Sequence, residues 1–437
     1  MRKSLLCCCV LFVALGSAPL GQSADRRGKT EKTPTGYLNS GLPTWLKISG
    51  EDRMRVETLH EQFNEKDNAY LLQRLRLNLD ASPFESLRLS LQAQDARVFF
   101  TNVSPLPSTQ KDPIDLRIAY LEIGDRETGA LTLRAGRQGL DFGEGRLLAD
   151  PNWSNVGRSF DAARLTLHYR RLRIDAFSGI SDKISIDGFA TPTPGEHFDG
   201  LYASLDHVVP RAVVEPYLFW KMEHKVKGEI VRIGNLDEKT AGLRLVGDAF
   251  YGIDHGMESA LQRGSYATEP ISAWATHLLL RFAVRDPRHQ PKIWAEFNRG
   301  SGDDNPKDGV HHAFGTLFPS SHDKFGIADQ FCWTNLTHGR AAFQFRTSSK
   351  LAIGAAENWF WLTNRHDGIY ASGKVTIAST GSNGTFIGQE SDFQAKWKLS
   401  RRTQLDFAAG HIFAGRFLHT THHTGFNSVV MSVTQGF

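Results

Sequence analysis

The chain has 437 residues, 40% of them hydrophobic and 22% charged, and its mean hydropathy of -0.34 is too polar for a bundle of membrane helices. Its 28 Phe, 9 Trp and 9 Tyr, with 40 Gly against 17 Pro and 5 Met, favour strands and turns and exclude disorder and collagen. With 51 Lys and Arg facing 47 Asp and Glu, the formal charge of +4 excludes a nucleic-acid binder that relies on a uniformly basic surface.

Residues 1–24 read as a cleaved secretory leader. Arg2 and Lys3 precede the apolar run Leu5 to Gly16, and Gly21 to Ala24 form a small-residue exit. The run is too short to cross a bilayer. Cleavage removes Cys7, Cys8 and Cys9 and leaves Cys332 alone, so no internal disulfide is expected. Residues 25–44, with Lys29, Lys32, Pro34 and Pro43, are expected to form a short periplasmic lead.

From Trp45 onward the writing is period-2. Leu46, Ile48, Met54 and Val56 alternate with Lys47, Ser49, Glu51, Arg53 and Arg55, although Asp52 interrupts the apolar face. Leu75, Leu77 and Leu79 alternate with Arg74, Arg76 and Asn78, and Leu87, Leu89 and Leu91 with Arg88, Ser90 and Gln92. Leu165 and Leu167 against Arg164, and Phe393 and Trp397 against Lys396 and Lys398, repeat the pattern. Such strands put one face in an apolar medium and the other in water. Residues 45–437 divide into about 18 segments of roughly 9 to 13 residues, the length of a tilted membrane-spanning strand.

Short connections at 82–85, 124–128, 170, 286–290, 348–350 and 400–402 alternate with long ones at 100–113, 138–159, 181–196, 225–238, 300–330 and 363–386. This asymmetry predicts an all-β, antiparallel up-and-down transmembrane barrel with short periplasmic turns and long extracellular loops. The last strand places Val429, Met431, Val433 and Phe437 on one parity, with Gln435 as an exception. A terminal Phe437 is similar to the assembly signal of outer-membrane barrels. Lys47, Arg53, Arg55, Arg74, Arg76, Arg88, Arg134 and Arg164 fall on the polar parity and are expected to look into the lumen. Nearby Glu51, Glu57, Asp80, Asp161 and Asp175 offer an alternative for them, bracing of the wall by ion pairs.

Gly136-Arg137-Gln138, Gly145-Arg146-Leu147, Asn152-Trp153-Ser154-Asn155 and Gly157-Arg158-Ser159-Phe160-Asp161 form the most distinctive stretch. With Gly50 to Arg55, Glu215-Pro216-Tyr217, Ser301-Gly302-Asp303 and Gly388 to Asp392, it resembles the alginate export family of outer-membrane barrels over nearly all of residues 45–437. The resemblance implies an 18-stranded channel passing anionic uronate polysaccharide through an arginine-lined constriction, and it adds Arg137 and Arg158 to the lumen set. Arg137 falls on the apolar parity of Leu131, Leu133 and Ala135, so an inward direction requires a bulge or the strand's end. Guanidinium forks suit carboxylates, and changing Arg74 and Arg76 to Glu is expected to weaken anion selectivity.

Trp153 and Phe160 are candidates for a sugar-stacking surface, with the interfacial girdle as the alternative. The 300–330 loop and His419, His422 and His423 carry metal-ligating residue types without a recognisable ligand spacing, so no metal and no cofactor is expected. There is no G-x-S-x-G, P-loop or H-E-x-x-H sequence, and no enzymatic activity is expected. The expected partners are anionic polysaccharide or oligosaccharide, outer-membrane lipid, the barrel assembly machinery and periplasmic export proteins, with the barrel a monomer. Rival readings are a small-anion or oligosaccharide porin, a plugged structural or adhesive barrel, and a soluble secreted β-protein.

Overall fold

A computed structural model describes residues 34–60, 67–124, 129–186, 188–228, 232–248, 252–284 and 286–437. The expected leader, together with Lys29 and Lys32 of the lead, lies outside the described residues. The chain runs α1 (Pro34–Ser40), β1 (Leu46–His60), β2 (Asn68–Phe84), β3 (Leu87–Phe99), β4 (Asp112–Ile123), β5 (Leu131–Gln138), β6 (Phe160–Tyr169) and β7 (Leu172–Lys183). It continues through β8 (Thr191–Pro192), β9 (Glu196–Val209), β10 (Ala212–Lys227), β11 (Ile233–Asp248), β12 (Ile253–Ala267), β13 (Glu269–Ala283) and β14 (Lys292–Gly300). Last come β15 (Leu336–Arg346), β16 (Leu351–Leu362), the hairpin β17 (Ile369–Ala371) and β18 (Lys374–Ile377), β19 (Phe386–Lys398), β20 (Thr403–Ala414), α2 (Arg416–Thr420) and β21 (Phe426–Gly436).

Leaving aside the short β8, β17 and β18, 18 antiparallel strands close into one barrel, as the alternation predicts. Closure is made by β1, which pairs with β2 on one side and β21 on the other, from Glu51 opposite Gly436 to His60 opposite Asn427. Hydrocarbon offers no partner for an unpaired backbone N–H or C=O, so a sheet that crosses it can have no free edge. The alternation sorts as expected. Arg53, Arg55, Arg74 and Arg76 are buried inside, while Met54, Val56 and Leu77 are exposed on the outer wall.

The termini of the barrel and the tight turns share one end, and segments 100–111, 139–159, 301–335 and 363–385 emerge at the other. One long-loop-end connection is shorter than the sequence suggests. The 225–238 stretch contracts to 228–232 because β10 and β11 resume pairing after a bulge between Glu223 and Val226, which breaks the visible alternation. β12 and β13 are separated by Thr268 alone.

Two loops fold back into the barrel. Segment 139–159 meets 301–335 through a parallel bridge between Leu148 and Phe318, with Ala149 N donating to Phe318 O at 2.9 Å and Phe318 N to Leu147 O at 2.8 Å. Phe142, Phe160, Phe177, Phe198, Phe219 and Phe318 pack beneath this junction and fill the side of the lumen facing β6–β10. What remains open on the short-turn side is displaced toward β19–β21, β1 and β2.

At the seam the Phe437 main chain exchanges hydrogen bonds with Gly50 at 2.9 and 3.0 Å, and the Phe437 ring covers Gly50. A Cβ at position 50 meets that ring at 2.5 Å and Arg76 O at 2.7 Å. Gly50→Ala is therefore expected to lower barrel stability by about 1–3 kcal/mol, read as an earlier loss of heat-modifiable gel mobility. Adding Phe437→Ala should recover part of the loss, since it removes one of the two obstacles.

Candidate functional site

The inward arginines of β1 and β2 spend their donors on the backbone of the 139–159 loop. Arg53 donates to Asn152 O at 2.7 Å and Ser154 O at 2.9 Å, and Arg55 to Trp153 O. Arg74 reaches Asn152 O at 3.0 Å, Ser154 O at 3.1 Å and Asn152 Oδ1 at 2.9 Å, and Arg76 donates to Asn152 Oδ1 at 3.0 Å. Carboxylates complete the set: Glu51 accepts from Arg74 at 2.5 Å and Glu57 lies 2.6 Å from Arg55. Asn155 fixes the far side of the loop, its Nδ2 lying 3.0–3.1 Å from the carbonyl oxygens of Gln73, Arg97 and Gln110.

This anchorage carries Trp153 to the middle of the lumen. The Arg55 guanidinium lies 4.1 Å from its ring centroid, and the His322 imidazole stacks on it at 3.5 Å with an interplanar angle of 3°. His322 is held in turn by Asp329 at 2.8 Å. Arg55, Trp153 and His322 line both of two large cavities and so form the waist between them. The cavity on the long-loop side measures about 850 Å³ and the one on the short-turn side about 1340 Å³. Around the second stand Lys47, Lys350, Lys396, Lys398, Arg401 and Arg402, with Glu51, Asp323 and Asp406 as its carboxylates. α1 sits at its mouth, where Asn39 exchanges hydrogen bonds of 2.7 and 2.8 Å with the Ile48 main chain.

The other candidates disperse. Arg88 pairs with Asp80 at 2.7 Å, Arg134 with Glu122 at 2.7 Å and Arg164 with Asp175 at 2.9 Å, all as braces along the wall. Arg158 is buried between the two inward loops and donates to Ala149 O, Phe318 O and Pro319 O. Burial pushes its guanidinium down to about 10, which leaves it charged at neutral pH. Arg137 needs correcting: it keeps the outward parity of Leu131 and Leu133 and pairs with Asp161 at 2.9 Å and Asp182 at 3.0 Å, with no bulge turning it inward. Phe160 is fully buried against Phe198 and Phe318, so it has no face to offer a sugar. Trp153 stands at the waist and not in the girdle.

Several participants escape a reading of the sequence. Arg117, which binds Asp150 at 2.8 Å, sits where β3 and β4 slip register, and His322 lies in a loop without periodicity. Lys396 and Lys398 were legible as polar-parity residues, but nothing in the sequence places β19 beside β1 and β2 around one cavity. In the 301–335 loop the exposed Asp304 and Asp308 and the half-buried His312 each bring one ligand atom within 4.8 Å of the others. His419, His422 and His423 join no such group among the described residues.

The loop is also pinned by charge. Glu144 lies 3.4 Å from Arg146, 3.3 Å from Arg244 and 3.6 Å from His277. Burial works to raise its carboxyl, but the Arg146 and Arg244 guanidinium groups outweigh it and hold the group below its ordinary value.

The sequence profile described as "Alginate export" matches residues 44–432. Among solved structures, Pseudomonas aeruginosa OccK5 (OpdH) superposes with a TM-score of 0.61 at 10% identity, covering 89% of this chain and 98% of that one. Acinetobacter baumannii OccAB1 gives 0.61 at 10% identity over 94% and 99% of the two chains. The outer membrane protein OpdK of Pseudomonas aeruginosa gives 0.60 at 12% over 90% and 99%. No curated protein sequence matches. At these identities the neighbours establish the barrel fold.

Two outcomes are expected. Arg74→Met leaves Glu51 without its 2.5 Å partner and takes one of two arginine donors from the Asn152 and Ser154 carbonyls, at a cost of about 3–5 kcal/mol. Single-channel conductance should rise and protease should cut within 139–159, whereas Arg134→Met on the wall should leave conductance unchanged. Because the Glu144 carboxyl titrates lower in the fold than its ordinary 4.5, its anchorage is complete above 4.5 and is lost as pH falls through that lowered value. Open probability should therefore climb over that acid range in planar bilayers, and Glu144→Gln should already be partly open at neutral pH.

Proposed function

The chain belongs to the alginate export family, and from that premise we propose that this outer-membrane channel passes anionic, uronate-type polysaccharide or oligosaccharide. The observation that carries the reading is the cationic lining of the short-turn cavity. Lys47, Lys396, Lys398 and Arg401 stand there with no carboxylate at ion-pair distance among the described residues, so their charge faces the water. The long-loop cavity differs, because Arg55, Arg158, Lys221 and Lys227 share it with Glu57, Glu223, Glu238 and Asp329.

A chain of carboxylates is drawn to the larger cavity by this field and meets several replaceable cations in series before the waist. Sites of that kind concentrate a polymer without trapping it. At the waist a sugar ring takes the place of the His322 imidazole on the Trp153 face, while the guanidinium of Arg55 receives a carboxylate. The arginines of β1 and β2 act here by holding the loop in place and not as an open ladder.

The test is electrical. In a salt gradient the wild-type reversal potential should have the sign of an anion-selective pore, and Lys396→Glu with Lys398→Glu should move it toward zero. Defined oligouronates should block the current about tenfold more strongly from the short-turn side than from the other, and neutral oligosaccharides of the same length should not. Equal blockade by neutral and anionic chains overturns the anionic assignment.

A further inference from the structure

On the outer wall of β10–β14 an apolar belt containing Leu218, Leu243, Leu261 and Leu278 gives way, toward the long-loop end, to a different surface. Trp220 and Trp274 are exposed there, at the level where tryptophans mark the lipid headgroups. Between and beside them stand Lys239, Arg263 and Arg299. Lys239 and Arg263 are direct cross-strand partners on β11 and β12, an opposition of like charges that is unfavourable unless an anion lies between them. Arg299 lies over Trp274 at 5.7 Å.

Among the described residues one carboxylate serves this group: Asp237 accepts from Lys239 at 3.0 Å and from the Trp220 indole at 2.7 Å. Among the described residues Arg263 reaches only main-chain oxygens, those of Gln262 at 2.7 Å and Ala273 at 3.4 Å. Arg299 has no carboxylate at ion-pair distance among the described residues. Elsewhere on the outer wall the arginines are matched, Arg97 by Asp95 at 2.8 Å and Arg137 by Asp161 and Asp182. The surplus of positive charge is thus local, faces lipid and sits beside two indoles.

We propose that this patch binds the phosphate groups of an outer-leaflet lipid, with the acyl chains lying along the belt below. A phosphate offers the oxygens that two guanidinium forks require, and it removes the repulsion between Lys239 and Arg263. The long-loop end of the barrel faces the outside, so the lipid is a phosphorylated glycolipid of that leaflet.

The full-length protein in detergent micelles is titrated with lipid A bearing both phosphates, with the same lipid after dephosphorylation, and with inorganic phosphate. The readout is the temperature at which heat-modifiable mobility is lost. Bisphosphorylated lipid A should raise it, and the other two probes should not. In Arg263→Gln with Arg299→Gln the midpoint without lipid and the single-channel conductance should match the wild type, while at least tenfold more lipid is needed for the same rise. An equal rise with dephosphorylated lipid or with inorganic phosphate overturns the proposal, as does an unchanged response of the double variant. If that variant does not fold, the comparison of the three probes on the wild type still decides the matter.

Discussion

The constraint from which the rest of this structure follows is the absence of hydrogen-bonding partners in hydrocarbon. It closes the sheet, and closure fixes an inside and an outside for every strand. The seam shows how far the constraint reaches. Asp52 and Gln435, the two residues that interrupt the apolar parity of β1 and β21, are register partners. Their irregularities coincide beside the Gly50–Phe437 contact, where the chain's last residue joins its first spanning strand.

Once the inside is defined, its arginines must be satisfied. Each guanidinium brings five N–H donors, and the carboxylates of neighbouring strands do not supply enough acceptors for Arg53, Arg55, Arg74 and Arg76. The carbonyl oxygens of Asn152, Trp153 and Ser154 make up the difference. The inward fold of the 139–159 loop is thus a consequence of the wall's charge and not a separate invention. The same loop brings Asp150 to Arg117 and Glu144 to Arg146 and Arg244, so acid and base are matched between loop and wall as well as between strands.

How much of this was legible in the sequence depends on whether period-2 alternation reports it. The strands, the barrel class and the lumenal direction of Arg53, Arg55, Arg74 and Arg76 follow from parity. Arg117 does not, because a register slip in β4 removes the period it is read from. Arg137 shows the opposite failure, since parity gave its outward direction correctly and the family motif suggested otherwise. The waist was half visible: Trp153 lies in the distinctive loop, but its partner His322 is 169 positions away in a segment with no pattern, and only the fold brings them to 3.5 Å. The basic cavity is likewise a product of closure, which sets Lys396 and Lys398 beside residues near the start of the chain.

The loop anchors and the waist differ in strength, and the difference bears on how a pore filled by its own loops can conduct. Behind Arg146 runs a hydrogen-bonded chain across β13–β19. Arg146 donates to His277 Nε2 at 3.2 Å, which leaves the His277 proton on Nδ1 to be donated to Asn298 at 2.8 Å. Asn298 donates to His338 Nδ1 at 2.9 Å, His338 Nε2 donates to Asn358 at 3.0 Å, and Asn358 donates to Asp392 at 2.8 Å. Every member points its proton the same way, from a cation to a carboxylate, so each tautomer is fixed by its neighbours and the chain is rigid. Breaking a buried ion pair of the loop costs about 3–5 kcal/mol, and each neutral hydrogen bond of this chain about 1–3 kcal/mol. An aromatic pair such as Trp153 and His322 contributes only about 0.5–1.5 kcal/mol. Passage that required the loops to leave the lumen would work against the stronger set, whereas passage that exchanges one stacked ring for another works against the weaker. The energetics therefore favour a waist that yields while the loops around it stay in place.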